Sequence, residues 1–121
     1  MEFTRRSGAM TARYLDEGLL EELRDVLDEE FPALLKTYIQ DSAIRLQDMN
    51  DAFARGDADA LRKSTHSLKG ASANLGLELL TELCRELEEG ALAGPLSGQA
   101  ARLKQVADEH ERAVQLLNAY M

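Results

Sequence analysis

Apolar side chains recur every three or four residues from Leu19 to Leu117, and the recurrence breaks only where glycine or proline falls. An α-helix returns to the same face about every 3.6 residues, so this spacing specifies amphipathic helices, and no alternating strand pattern competes with it. Leu19, Leu20, Leu23 and Leu27 mark a short first helix from Asp16 to Glu29. Phe31-Pro32 opens a long second one, because proline is tolerated in a first turn, and Leu34, Leu35, Tyr38, Ile39, Leu46, Met49 and Phe53 carry it to Gly56. Asp57 can cap a third helix reaching Asn74, after which Asn74 to Gly76 makes a break. Leu80, Leu83, Cys84 and Leu87 line a fourth, from Leu77 to Leu92. Beyond the irregular stretch of Gly90, Gly94, Pro95 and Gly98, Ser97 or a neighbour can cap a fifth bearing Leu103, Val106, His110, Val114 and Leu117. The expected fold is all-α: an antiparallel up-down-up-down four-helix bundle with a short extra N-terminal helix lying across one end.

With 121 residues the chain fits one domain with a real core. Residues 1–9 have no periodicity and precede a second methionine, so they read as a disordered expression scar, leaving the bundle to residues 10–121 and Met10 as the start of a free-standing protein. No apolar stretch approaches the roughly 18 residues of a membrane span, and no signal peptide is visible, so a cytoplasmic protein without membrane insertion is expected. The formal net charge of −8 excludes nucleic acid as a partner, since phosphate binding needs a basic surface. Cys84 is the only cysteine, and no His-x-x-x-His or Glu-x-x-His pair occurs, so neither a disulfide nor a metal site is expected.

The charge is uneven. Asp16 to Glu30 is crowded with carboxylates, whereas Leu61 to Gly70 contains Arg62, Lys63 and Lys69 and no acid. On a helix, Leu61, Thr65, Leu68, Ser72 and Leu75 fall within about 80° of one another and must face the core. His66 lies about 140° round from Leu61, on the outer half that it shares with Arg62, Lys63, Lys69, Gly70 and Ala73. A mid-helix glycine costs about 1 kcal/mol relative to alanine, so Gly70 on an exposed face needs a reason, and close approach of another protein supplies one. A neutral imidazole is a good nucleophile toward phosphorus, and neighbouring cations favour the neutral form. Phosphoryl transfer needs in-line geometry and cations to balance the phosphoryl oxygens; Lys69, one turn from His66, can be such a cation.

The run His66-Ser67-Leu68-Lys69-Gly70-Ala71-Ser72 with Leu75-Gly76, continued by Leu79-Leu80-Thr81-Glu82-Leu83-Cys84-Arg85-Glu86-Leu87-Glu88, resembles the signature of histidine phosphotransfer (HPt) domains. The resemblance implies a phosphorelay intermediate that accepts a phosphoryl group on His66 from a receiver-domain aspartyl phosphate and passes it to another response-regulator receiver. It further implies Lys69 as the phosphoryl-stabilising cation, with Gly70, Ala73, Arg62 and Lys63 on the receiver-docking face. Family members place a glutamine on the following helix to hydrogen-bond the imidazole or phosphoryl group. Glu88 stands at that position, which implies an orienting role for a carboxylate that would repel a phosphoryl group at close range. Partners would be receiver domains and a hybrid sensor kinase, Mg²⁺ would sit on the receiver, and the chain would be a monomer with no cofactor and no kinase activity of its own.

The alternative is a non-catalytic helical adaptor that docks receivers without carrying phosphate, against which the intact His66 argues. A small-ligand bundle would need polar groups converging in the core, and none is evident in the pattern. His110 falls in the apolar stripe of the last helix and reads as a core histidine satisfied by one hydrogen bond, and Cys84 as a packing residue.

Overall fold

A computed structural model of the chain describes residues 14–121; the expected scar at residues 1–9 lies outside the described residues. Five α-helices account for most of them: α1 Glu17–Leu27, α2 Phe31–Arg55, α3 Ala58–Asn74, α4 Glu78–Ala93 and α5 Ala100–Tyr120, with 3-10 turns at Asp28–Glu30 and Leu96–Gln99. There is no strand among the described residues. Helices α2 to α5 form the antiparallel up-down-up-down bundle, with α3 packed between α2 and α4 and with α5 closing against α4 and α2. Short α1 sits at the end of the bundle where α3 turns into α4.

The caps explain the boundaries. Asp16 Oδ1 accepts from the Leu19 N–H at 3.1 Å and Asp57 Oδ1 from the Ala60 N–H at 3.0 Å, each satisfying a donor that the first turn leaves free. Helix α2 ends at Gly56, whose left-handed φ of 73° lets the chain reverse directly into the Asp57 cap. Two boundaries differ from expectation. Helix α1 stops at Leu27, because Asp28 adopts a positive φ of 51° and the chain tightens into a 3-10 turn. Helix α5 starts at Ala100, and neither Ser97, which lies inside the second 3-10 turn, nor Gln99 caps it through a side chain.

Leu20, Phe31, Leu35, Met49, Leu61, Leu68, Leu77, Leu80, Leu87 and Leu117 are fully buried, each side chain contributing about 2 kcal/mol by leaving water. On α5 the inward residue is Ala113, while Val114 is half-buried. The core is also more polar than the pattern indicates. Tyr38 Oη and Ser72 Oγ join α2 to α3 at 2.8 Å, and Ser42 Oγ joins α2 to His110 Nε2 of α5 at 2.8 Å. Burial pushes the Tyr38 phenol up to about 12, and burial together with the nearby Glu88 charge pushes the Cys84 thiol up to about 12, so both stay neutral and act in packing. Among the described residues no helix is long and apolar enough to cross a membrane.

Candidate functional site

His66 occupies the middle of α3 because Leu61, Thr65, Leu68 and Ser72 turn the opposite face of that helix into the core. Its side chain is 64% exposed. Thr65, one residue earlier, is fully buried and satisfies its hydroxyl on the Leu61 carbonyl at 2.7 Å, so the backbone carrying the imidazole is held by packing from below. Helix α4 runs alongside and brings Glu88 over the ring: Glu88 Oε2 lies 2.8 Å from His66 Nδ1.

The state of Glu88 settles the tautomer of the ring. Burial works to raise its carboxyl pKa, but the adjacent Lys69 ammonium and the hydrogen-bonded His66 ring prevail and hold it below the usual carboxylate range. An ionised carboxylate only accepts, so Nδ1 donates, and in the neutral ring the free electron pair sits on Nε2. Lys69 Nζ lies 2.8 Å from the other carboxylate oxygen, Oε1. That contact is an ion pair more than a directed hydrogen bond, since Oε1 has no well-aligned donor. Lys69 is thus paired with the carboxylate that also holds the His66 ring.

The remaining cations are also redistributed. Arg62 lies 3.1 Å and Lys63 3.2 Å from the carboxylate of Asp59, toward the start of α3. Hydrogen bonds from Lys63 and then Arg62 depress the Asp59 pKa. The expected acid-free basic patch is therefore compensated at both ends, by Asp59 and by Glu88, and the nearest charge to the ring is an anion. Beyond His66 the surface is bare. A Cβ added to Gly70 would meet nothing within 4 Å, and Ala73 is exposed one turn further on.

Sequence reasoning missed the contribution of α2. Ser67, Ala71 and Asn74, on the flank of α3 beside His66, border a groove of about 360 Å³ whose other wall is Leu34, Thr37, Asp41 and Arg45. Their spacing of three and four residues was the available signal. The Asp59–Lys63 pair was likewise readable as an i, i+4 contact. A larger groove of about 620 Å³, between α4 and α5, contains none of the candidate residues. No cluster of three His, Cys, Asp or Glu side chains among the described residues could hold a metal ion. The arrangement offers an outward imidazole nitrogen with a free electron pair, a carboxylate on the opposite nitrogen, an exchangeable ammonium one turn away, and open space for a second protein.

Comparison with known proteins gives one consistent set of relatives. The family model described as Hpt domain matches residues 33–117. Histidine-containing phosphotransfer protein 4 of Arabidopsis thaliana is 30% identical over 112 residues, spanning 88% of this chain and 88% of that protein. The crystal structure of histidine-containing phosphotransfer protein B from Pseudomonas aeruginosa PAO1 superposes with a TM-score of 0.84 at 39% identity, covering 88% of this chain and 93% of the other. The sensor protein TorS of Escherichia coli (strain K12) is 28% identical over 68 residues, which is 56% of this chain and 7% of that protein.

Proposed function

The chain belongs to the Hpt domain family and is a phosphorelay intermediate, and on that premise we propose that His66 Nε2 is the atom that carries the phosphoryl group. Receiver domains and a kinase are the partners that membership implies. Nε2 attacks the phosphorus of a receiver's aspartyl phosphate, the P–O bond to the aspartate breaks, and its electron pair returns to that carboxylate. Transfer to a second receiver repeats the exchange in reverse.

The observation that carries this reading is the difference between the two ring nitrogens: Nδ1 donates to Glu88 at 2.8 Å, whereas the 64% exposed side chain leaves Nε2 unengaged, with only Gly70 one turn on. Glu88 orients the ring and selects its tautomer. Lys69, held to Glu88 mainly by charge, can turn toward the phosphoryl oxygens as their negative charge arrives. Gly70 and Ala73 leave room for the receiver's loops, with Arg62 and Lys63 at the rim. The in-line approach needs no base, because the attacking electron pair is already free. Mg²⁺ belongs to the receiver's site, and the chain acts as a cytoplasmic monomer served by a hybrid sensor kinase.

The test is incubation with a phosphorylated receiver domain and Mg²⁺, followed by assay for acid-labile, base-stable phosphate. Wild type takes up label on His66, and His66→Gln folds and takes up none. Equal labelling of the two would leave only a docking adaptor.

A further inference from the structure

We propose that Glu88 holds the Nδ1 proton on the phosphorylated ring, and so keeps the phosphoryl group on a leaving group good enough to pass it on. The proposal rests on His66 as the phosphoryl carrier. It goes beyond orientation, because it concerns the charged state of the ring after transfer.

The chemistry follows from the balance of the step. The neutral ring begins with a proton on Nδ1 and an electron pair on Nε2. Forming the Nε2–P bond uses that pair, and the ring becomes an N-phosphoimidazolium cation that still carries the Nδ1 proton. Discharge returns the pair to Nε2 and releases a neutral imidazole. If the Nδ1 proton is lost in between, discharge must expel an imidazolide anion, a far poorer leaving group. Whatever retains that proton therefore sets the pH range over which the phosphoryl group remains mobile.

Glu88 is placed to do this. Its Oε2 lies 2.8 Å from Nδ1, and its side chain is only 14% exposed, so the carboxylate is partly shielded from the water that would compete for the proton. Other charged groups surround the ring on the neighbouring helices. From α3, Lys69 is paired with Glu88 at 2.8 Å, and Arg62 and Lys63 are drawn to Asp59. From α4, Arg85 is taken up by Glu82 and Glu89. From α2, Asp41 and Arg45 border the adjoining groove. Among the described residues only Glu88 is hydrogen-bonded to the ring. When the phosphoryl dianion arrives, Lys69 has a second anion to turn to. Each step of Lys69 away from Oε1 leaves more of the carboxylate charge to the imidazolium. A glutamine at this position could accept the same hydrogen bond, but it would give no charge to the cation.

The experiment separates the ring's proton from its partner. Full-length wild type and Glu88→Gln are phosphorylated with potassium phosphoramidate and freed of reagent. Loss of the P–N bond to water is then followed by ³¹P NMR from pH 5.5 to 9, with the Nδ1 proton read by ¹⁵N shift. An opposite charge near a titrating group moves its midpoint by about 1 to 3 pH units, and an exposed ring belongs at the low end. Discharge of Glu88→Gln is expected to fall off about one pH unit below wild type, making it roughly tenfold slower at pH 8, with the ¹⁵N midpoint moving in step. Coincident profiles and midpoints would overturn the proposal.

Release of Lys69 in the variant could mimic the effect. Lys69→Gln is therefore compared with Lys69→Gln/Glu88→Gln. The displacement persists between these two if the carboxylate acts on the ring itself, and vanishes, overturning the proposal, if freed Lys69 was responsible. Loading by phosphoramidate needs no receiver, so failure of receivers to label His66 would strike the phosphorelay reading and not this test.

Discussion

The Asp16 backbone N–H donates to the Gly76 carbonyl at 2.7 Å, and a Cβ on Gly76 would lie 2.9 Å from that of Asp16 and 3.3 Å from its carbonyl oxygen. The contact pins the start of α1 to the corner between α3 and α4. Asp16 is at the same time the cap of α1, so the corner and the cap form one unit. Gly76 meets both demands of the place, a φ of 74° and no side chain where the backbones touch.

Gly76→Ala is therefore expected to destabilise the protein by about 1 to 3 kcal/mol, combining the left-handed backbone penalty with a clash that neither backbone can relieve cheaply. Equilibrium urea unfolding measures it. A midpoint equal to that of wild type would show that α1 is not docked through this corner.

Gly70, six residues earlier, is expected to behave in the opposite way. Nothing lies within 4 Å of its missing side chain and its φ is ordinary, so Gly70→Leu replaces a poor helix former by a good one and should leave the melting temperature equal or slightly higher. Phosphoryl uptake from a receiver should nevertheless fall sharply, because the leucine fills the space one turn from His66 through which the partner approaches. A stable variant that transfers normally would place the docking face elsewhere; a much lower melt would mean that the glycine serves packing.

The contrast between the two glycines shows how far the sequence was legible. The helices, the Asp57 cap after Gly56 and the outward face of His66 all follow from spacing within one segment, and local spacing is printed in the chain. What spacing cannot give is the register of one helix against the next. Glu88 was assignable to the helix after His66, but its double contact with Nδ1 and Lys69 depends on how far α4 slides along α3. Likewise, nothing in the spacing names Ser42 of α2 as the partner that His110 of α5 meets. Ala113 is buried in place of Val114 because the stripe of Leu103, Val106, His110 and Leu117 steps by three and four residues and passes through 113, a distinction of one position between two residues that suit either role.

Removal of the Lys69 ammonium tests whether it leaves Glu88 during transfer. Lys69→Ala should slow uptake in single-turnover assays by roughly ten- to a hundredfold, the equivalent of one charge-assisted contact of about 1.5 to 3 kcal/mol made in the transition state. The helix content by circular dichroism should not change, since the side chain is 27% exposed and no part of the core. An unchanged rate would mean that Lys69 stays with Glu88 throughout.

His110 should give the bundle a pH dependence of its own. The residue is 7% exposed, its Nε2 lies 2.8 Å from Ser42 Oγ, and burial holds its pKa below the ordinary value of 6.5. In the unfolded chain the imidazole takes up a proton near pH 6.5, whereas in the folded protein it resists until lower pH. The unfolded state then binds more protons in that interval, so the stability present above about pH 6.5 is lost as pH falls through the folded value and levels off below it. Neighbouring Glu109 works in the other direction: burial raises its carboxyl pKa against the pull of Arg112, so its contribution is largest in acid and fades as pH rises. Wild-type unfolding alone therefore mixes two opposed slopes. The clean measurement is the difference in unfolding free energy between wild type and His110→Gln at pH 7.5 and at pH 5.5. Glu109 is common to both proteins, and only the wild type should lose the histidine contribution in acid. Parallel pH dependence in the two proteins would show that the folded imidazole accepts its proton as readily as the unfolded one, and that Ser42 is no barrier to it.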